Sequence, residues 1–204
     1  MTHAGRTVKT APAPERETMN RFTRGFTLIE LMIAIAIFAF LIMLAGPMYA
    51  DYMGNSQIRN AAENTLAGVR LAQTEAVRGN TQAEFVLNTT PAGGWQVLRL
   101  NEETGAFDIA VQSYKWADGA SRTQVDAGGL AKVTFNGLGR VMAANPEGGT
   151  LPIAQIDIRN PSITNPRPLR VVINPLVSSG VKLCDPDPGV ATNDPNDPRI
   201  CPSS

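Results

Sequence analysis

The feature that most constrains this chain is a run of 25 residues, Phe26 to Ala50, that contains one charged side chain, Glu30. A helix needs about 20 apolar residues to cross the hydrocarbon core of a bilayer, whereas the apolar part of a secretory signal has only about 7–15. The run therefore predicts a transmembrane helix over residues 26–50. Because Arg21 and Arg24 precede it, the positive-inside rule predicts a cytoplasmic N-terminus and an exported remainder.

Glu30 does not fit a simple membrane anchor. A carboxylate in the middle of a span costs about 3 kcal/mol on insertion scales and usually marks a functional position. Near the membrane surface, the same group can extend toward water or take up a proton. The segment by itself leaves both interpretations open.

The stretch RGFTLIELMIAIAIFAFLI, residues 24–42, resembles the N-terminal signal of type IV pilins and pseudopilins. In that family, prepilin peptidase removes a basic leader after a glycine, and the new N-terminal residue is N-methylated. The resemblance implies cleavage between Gly25 and Phe26, N-methylation of Phe26, and an assembly role for Glu30, the fifth mature residue. That glutamate is paired in the family with the terminal amine of a neighbouring subunit. The resemblance also implies a helix bend at Pro47.

The implied leader, residues 1–25, is longer than is usual in this family. A leader of ordinary length, MNRFTRG, would begin at Met19. We therefore expect either that Met19 is the true start or that residues 1–18 form an extension whose composition cannot build a core.

After the apolar run, the pattern predicts that the helix continues as an amphipathic segment over residues 51–79 and stops at Gly79-Asn80. Its apolar face should pack against the domain that follows. The residues of that face recur at steps of three and four, and they are Ile58, Ala62, Leu66, Val69, Ala72 and Ala76.

From residue 80 the apolar period changes to two, with turn residues between the segments, which is typical of antiparallel strands. We therefore predict an α+β fold in which the long N-terminal helix, transmembrane in its first half, packs on an antiparallel β-sheet head over residues 80–183. The predicted strands are AEFVLN (83–88), WQVLRL (95–100), AKVTF (131–135), QIDIRN (155–160) and LRVVIN (169–174).

Three further stretches resemble the GspH/FimT branch of pseudopilins and minor pilins: residues 69–80, 133–141 and 181–201. The last is similar to the C-terminal cysteine loop of FimT- and FimU-like members. Two lone cysteines would stay reduced in the cytosol, but an exported head favours a disulfide between Cys184 and Cys201 within the segment 184–204.

No metal or cofactor is expected. The four Asp residues of the cysteine loop suggest calcium, but their spacing does not match an EF-hand loop. An enzyme is not expected either, because the only histidine, His3, lies in the leader. The adjacent Glu102 and Glu103 are interpreted as a solvated turn.

The resemblance implies a structural subunit, a minor pilin or pseudopilin, in the initiation or tip complex of a type IV pilus or a type II secretion pseudopilus. Its expected partners are other major or minor pilins or pseudopilins, prepilin peptidase and the bacterial inner membrane. The expected location is a single pass through that membrane with a periplasmic head, followed by incorporation into the filament. Which machine it serves stays open.

The alternative is a FimT-like minor pilin that binds DNA during natural transformation through a Gly-Arg-x-Arg stretch near the C-terminus. The corresponding residues here are Gly180-Val181-Lys182-Leu183, which lack both arginines. Phosphate contacts need clusters of Lys or Arg, so DNA is not expected as a partner.

Overall fold

The computed structural model describes residues 25–174, 180–187, 197 and 199–201, so the predicted leader lies outside the described residues except for Gly25. One helix, α1, extends over Leu28–Gly79. The described strands follow it, and the predicted α+β order of one long helix and then antiparallel strands is confirmed. They are β1 Ala83–Asn88, β2 Gly94–Asn101, β3 Ala106–Lys115, β4 Gln124–Asp126, β5 Lys132–Phe135, β6 Gln155–Arg159, β7 Leu169–Ile173 and β8 Val181–Cys184.

The chain divides into two compact units, one ending at Ile42 and the other beginning at Met43. In the first unit, every described side chain is exposed. An 18-residue window of α1 has a mean hydropathy of 2.8 and none of it is buried, so by length and composition this helix can cross a membrane.

The second unit holds two four-stranded sheets rather than one. The first has the order β3-β2-β1-β5 and the second β4-β6-β7-β8, and every strand pair in both is antiparallel. The five predicted segments correspond to β1, β2, β5, β6 and β7. The strands β3, β4 and β8 were not predicted.

One hydrophobic cluster contains side chains from α1 and from both sheets. The predicted apolar face of α1 is buried except for Leu66, which is half-buried, and Ala61 joins it. Small residues let the backbone approach the first sheet closely. A Cβ at Gly68 would lie only 2.9 Å from Phe85 Cε2 and from the Trp95 ring, so glycine is needed there.

The end of α1 is set by Asn80, which adopts a left-handed conformation with φ of 45°. Its N–H donates to Val77 O, and the N–H of Thr81 donates to Ala76 O, each at 3.1 Å. This is a Schellman motif with asparagine, instead of the more common glycine, in the left-handed position. The predicted stop at Gly79-Asn80 is therefore confirmed.

Candidate functional site

The first turn of α1 is capped by Thr27. Its Oγ1 accepts a hydrogen bond from the N–H of Glu30 at 3.3 Å, and its carbonyl accepts one from Leu31 N–H at 3.1 Å. Thr27 to Glu30 thus has the spacing of a capping box, and an acidic residue in the first turn also interacts favourably with the helix dipole. Glu30 therefore has a local role at the start of the helix, which the Thr-x-x-Glu pattern indicates but the sequence interpretation missed.

The predicted cleavage position lies immediately before this cap and is accessible. A Cβ at Gly25 would meet no atom within 4 Å, and Phe26 is 84% exposed. The helix begins only at Leu28, so the peptide bond between Gly25 and Phe26 is outside regular structure. The helix continues through position 47, and the bend at Pro47 stays a prediction.

Apolar surface on the described residues is concentrated on the N-terminal part of α1. Apart from Val77, Leu138 and Leu151, all the exposed large apolar side chains lie between Phe26 and Met53. A continuous surface of this kind is not stable in water, so lipid or other protein chains must cover it.

The connection between β6 and β7 is hydrogen-bonded to α1 just after the apolar run. Asp51 Oδ1 accepts from the N–H of Thr164 at 2.8 Å, and Asn55 Oδ1 accepts from the N–H of Arg167 at 2.8 Å. Asn55 Nδ2 also donates to Asn165 O at 3.0 Å. The second unit thus holds α1 from Asp51 onward, a set of contacts between residues more than 100 positions apart that no local pattern reveals.

At the other end of the chain, Cys184 and Cys201 form a disulfide with a Cα–Cα distance of 4.9 Å. The N–H of Asp185 donates to Arg199 O, so backbone contacts accompany the disulfide. A hydrogen bond from the Arg199 guanidinium lowers the pKa of Asp197 to about 2.

Most of the cysteine loop, including Asp194, lies outside the described residues. The residues that are described contain no group of three or more possible metal ligands.

Opening this loop should destabilise the second unit. The combined change Cys184→Ala and Cys201→Ser is expected to lower the free energy of unfolding by about 3 kcal/mol, since the unfolded chain regains loop entropy. Alanine avoids placing a hydroxyl at the buried position 184. Chemical denaturation of the purified full chain measures the loss. Reductant should cause a similar loss in the wild type and none in the variant, and equal stability of the two chains would contradict the expectation.

A buried ion pair lies on the face of the first sheet opposite Phe85. The side chain of Glu84 is fully buried, and its Oε1 lies 3.0 Å from Lys132 Nζ. The same ammonium lies 2.8 Å from Glu147 Oε2, in the loop after β5. Burial raises the pKa of Glu84 although Lys132 opposes the shift, whereas the hydrogen bond from Lys132 lowers the pKa of Glu147. Lys132 therefore compensates a buried carboxylate and ties the loop to the sheet.

Removing that compensation should be costly. Lys132→Met is expected to destabilise the chain by about 3 kcal/mol at pH 7, because it leaves a buried carboxylate unpaired. The pKa of Glu84 in the folded state is raised above its ordinary 4.5. The free energy of unfolding therefore falls as the pH rises from 4.5 toward that raised pKa, and it falls more when Lys132 is absent. The loss should therefore shrink as the pH falls toward 4.5.

Urea denaturation of the full chain at several pH values between 4.5 and 7.5 measures this dependence. Glu84→Gln is the matched control, because it removes the buried charge and keeps the shape. The free energy of unfolding of Glu84→Gln should stay within about 1 kcal/mol of the wild-type value at pH 7. In the double variant, Glu84→Gln should restore much of the stability that Lys132→Met removes. A loss that does not vary with pH would contradict the role given to Glu84.

The alternatives considered from the sequence find little support in the geometry. Lys182 is exposed on β8, and its Nζ contacts Ile200 O at 3.5 Å, so residues 180–183 present a single base. Glu102 and Glu103 lie exposed in the turn between β2 and β3, as expected of solvated residues.

Comparison with known proteins gives two matches to family profiles. The profile described as "Type II transport protein GspH" matches residues 61–177, and the "Prokaryotic N-terminal methylation motif" matches residues 20–46. The second match includes Gly25, Phe26 and Glu30.

Among curated proteins, the chain is 30% identical over 102 residues to a fimbrial protein of Pseudomonas aeruginosa, a match that covers 50% of this chain and 57% of the relative. It is 51% identical over 101 residues to the type IV major pilin protein PilE1 of Neisseria gonorrhoeae, covering 47% and 56%. The chain thus spans about half the length of the curated relatives it matches.

Among solved structures, the type IV minor pilin FimU of Pseudomonas aeruginosa is similar, with 16% identity over 61% of this chain and 90% of that chain. The TM-score is 0.40.

Proposed function

The chain belongs to the GspH family, whose profile covers residues 61–177 of its 204 residues, and from this premise we propose that it is a minor pilin or pseudopilin. In this role it is a structural subunit in the initiation or tip complex of a type IV pilus or a type II secretion pseudopilus. The observation that carries the proposal is the match of the N-terminal methylation motif to residues 20–46, where the exposed apolar helix begins.

The proposed path starts with insertion of residues 26–50 into the bacterial inner membrane, with the head in the periplasm. Prepilin peptidase then cleaves after Gly25 and Phe26 is N-methylated. Because cleavage precedes the apolar run, the processed chain keeps its anchor. The division into a leader (1–25), a span (26–50), an amphipathic helix (51–79), a head (80–183) and a disulfide loop (184–204) belongs to the same proposal.

Assembly follows from the exposed surface of α1. When the helix leaves the lipid, its apolar side chains must be covered by the helices of other pilins or pseudopilins. In that dry environment an unpaired Glu30 is strongly unfavourable, so pairing with the terminal amine of a neighbouring subunit selects the register. DNA is not among the proposed partners, since residues 180–183 lack the arginines of the DNA-binding stretch.

Photo-crosslinking in the bacterium that encodes the chain tests this proposal. A photoreactive residue at Ile33, which is 55% exposed, is expected to crosslink to other pilins or pseudopilins. The control places the same photoreactive amino acid at position 97, where Val97 is buried, and this variant should give no intermolecular product. The identity of the crosslinked subunits shows whether the machine is a pilus or a secretion system. Absence of any pilin product at Ile33 would contradict the proposed function.

A further inference from the structure

A groove of about 640 Å³ lies in the second unit, beside the part of α1 that follows the apolar run. Helix α1 forms one wall, and the start of β7 with the end of β8 forms another. Three arginines from distant parts of the sequence meet in it, together with a tyrosine and two leucines. These residues are Arg59, Arg167, Arg199, Tyr52, Leu169 and Leu183.

Two of the three arginines, Arg167 and Arg59, are available to an external anion. The guanidinium of Arg167 makes no ion pair with any of the described residues, and Arg59 pairs only with Glu63, at 2.8 Å, where both side chains are more than half exposed. Arg199 is 72% exposed, but its partner Asp197 is only 13% exposed and accepts hydrogen bonds from two guanidinium nitrogens, so this pair is expected to persist. The exposed pair of Arg59 with Glu63 contributes little to stability, so a better-placed anion can displace Glu63.

Among the described residues, the carboxylate that lines the groove is that of Asp185, and Asp197 already compensates Arg199. The anion would therefore be held by the guanidinium groups of Arg167 and Arg59. A guanidinium presents paired N–H donors that match two oxygens of a phosphate, and it is weakly hydrated compared with an ammonium. The leucines offer an apolar wall next to these donors. The groove therefore fits a phosphate group attached to an apolar body.

The position of the groove along α1 indicates where that phosphate comes from. Tyr52 is 71% exposed and lies two residues after Ala50, the last residue of the apolar run. Exposed aromatic side chains at the end of a span are typical of the membrane surface, and Tyr49 is also 66% exposed. Arg59 follows Ala50 by nine residues, about 13 Å along the helix, and its long side chain can extend back toward the headgroup layer.

We propose that this groove binds the phosphate headgroup of an anionic phospholipid in the membrane from which α1 emerges. The inference rests on the membrane anchor of the proposed function. An acidic segment of another protein would meet the same charges, but the first residue that lines the groove, Tyr52, follows the apolar run by only two residues, which favours lipid. Bound lipid would hold the head against the membrane before the subunit enters a filament.

Native mass spectrometry of the full chain in detergent tests the inference. The probes are phosphatidylglycerol and phosphatidylcholine with identical acyl chains, supplied in equal amounts. We expect the wild type to retain phosphatidylglycerol preferentially. Arg167→Gln and Arg59→Gln should each reduce the preference about fivefold. Arg122→Gln, an exposed arginine outside the groove, is the matched control and should keep it.

Equal retention of the two lipids, or a preference unchanged in Arg167→Gln, would overturn the inference. Binding of inorganic phosphate with the same arginine dependence but no preference for phosphatidylglycerol would assign the groove to a soluble anion and overturn it as well. Flotation with vesicles of phosphatidylcholine alone tests the membrane anchor separately from the lipid site. If the chain floats, the anchor stands whatever the lipid result, whereas a wild type that does not float contradicts the anchor and the lipid site together.

Discussion

Gly25→Val is expected to abolish processing, so that the unprocessed chain accumulates in the membrane and no product beginning at Phe26 is detected. The peptidase must approach the backbone closely at the cleaved bond, and a branched side chain at the preceding residue obstructs that approach. The fold itself should not suffer, because a Cβ at Gly25 meets no atom within 4 Å. Intact-mass measurement of the chain purified from membranes reports the result.

Gly46→Val is the matched control for this change. A Cβ at Gly46 also meets no atom within 4 Å, and the position lies in the same apolar run but far from the cleaved bond. Processing of this variant should resemble that of the wild type. If Gly25→Val is still processed before Phe26, the glycine has no part in cleavage. If Gly46→Val is blocked equally, the effect comes from the helix and not from the site.

Glu30→Gln is expected to leave membrane insertion intact and to reduce assembly with other subunits on the order of a hundredfold. The reason is that a neighbour's terminal amine is left without its carboxylate in a dry helix contact, at a cost of about 3 kcal/mol. Glutamine is chosen because it keeps the capping-box pattern with Thr27 while it removes the charge. Quantification of the chain in sheared filaments or purified subunit complexes measures the loss.

Two companion variants separate the charge from the helix cap. Glu30→Ala removes the charge and the side chain of the capping-box pattern, keeps the hydrogen bond from its own N–H to Thr27 Oγ1, and should fail to assemble as well. Thr27→Val removes only the hydroxyl oxygen that accepts from Glu30 N–H, at a cost of about 1 kcal/mol, and should still assemble. Normal assembly of Glu30→Gln together with failure of Glu30→Ala would mean that Glu30 is a capping residue and that its charge has no role in assembly.

The sequence was informative where a single local pattern decides the structure. The apolar face of α1, including Ile58 and Val69, follows from helical spacing, and the helix end follows from Gly79-Asn80. Strand β6 alternates between buried and more exposed positions along its whole length, and β1 does so from Phe85 onward, which makes both strands visible in the sequence. The leader sequence and Glu30 are recognisable because Gly25, Phe26 and Glu30 occur at fixed distances from one another along the sequence.

Other elements depend on partners that sequence proximity does not supply. Strand β3 lies at the edge of its sheet, has only one buried residue, Phe107, and pairs with β2 through two register shifts, so its alternation is weak. Strand β4 has three residues, too few for a periodic signal. The pairing of Glu84 with Lys132 and the contacts of Asp51 and Asn55 join residues far apart in sequence. They become predictable only once the sheet order is known.

The groove beside α1 has the same origin. Arg59, Arg167 and Arg199 are separated by more than 30 residues along the chain, and none of them belongs to a basic cluster. They meet because the hydrogen bonds of Asn55 and the Cys184–Cys201 disulfide bring three segments to one side of α1. A charge pattern read along the sequence cannot reveal such a site.

The central claim is that this chain is processed at its N-terminus and keeps its apolar helix afterwards. N-terminal sequencing combined with the intact mass of the wild-type chain, isolated from the membranes of the bacterium that encodes it, tests this claim directly. We expect a product that begins at Phe26, carries one methyl group on its terminal amine and retains Cys184 and Cys201 as a disulfide. A chain that still carries Gly25, or one that has lost the apolar run through cleavage after Ala50, would contradict it.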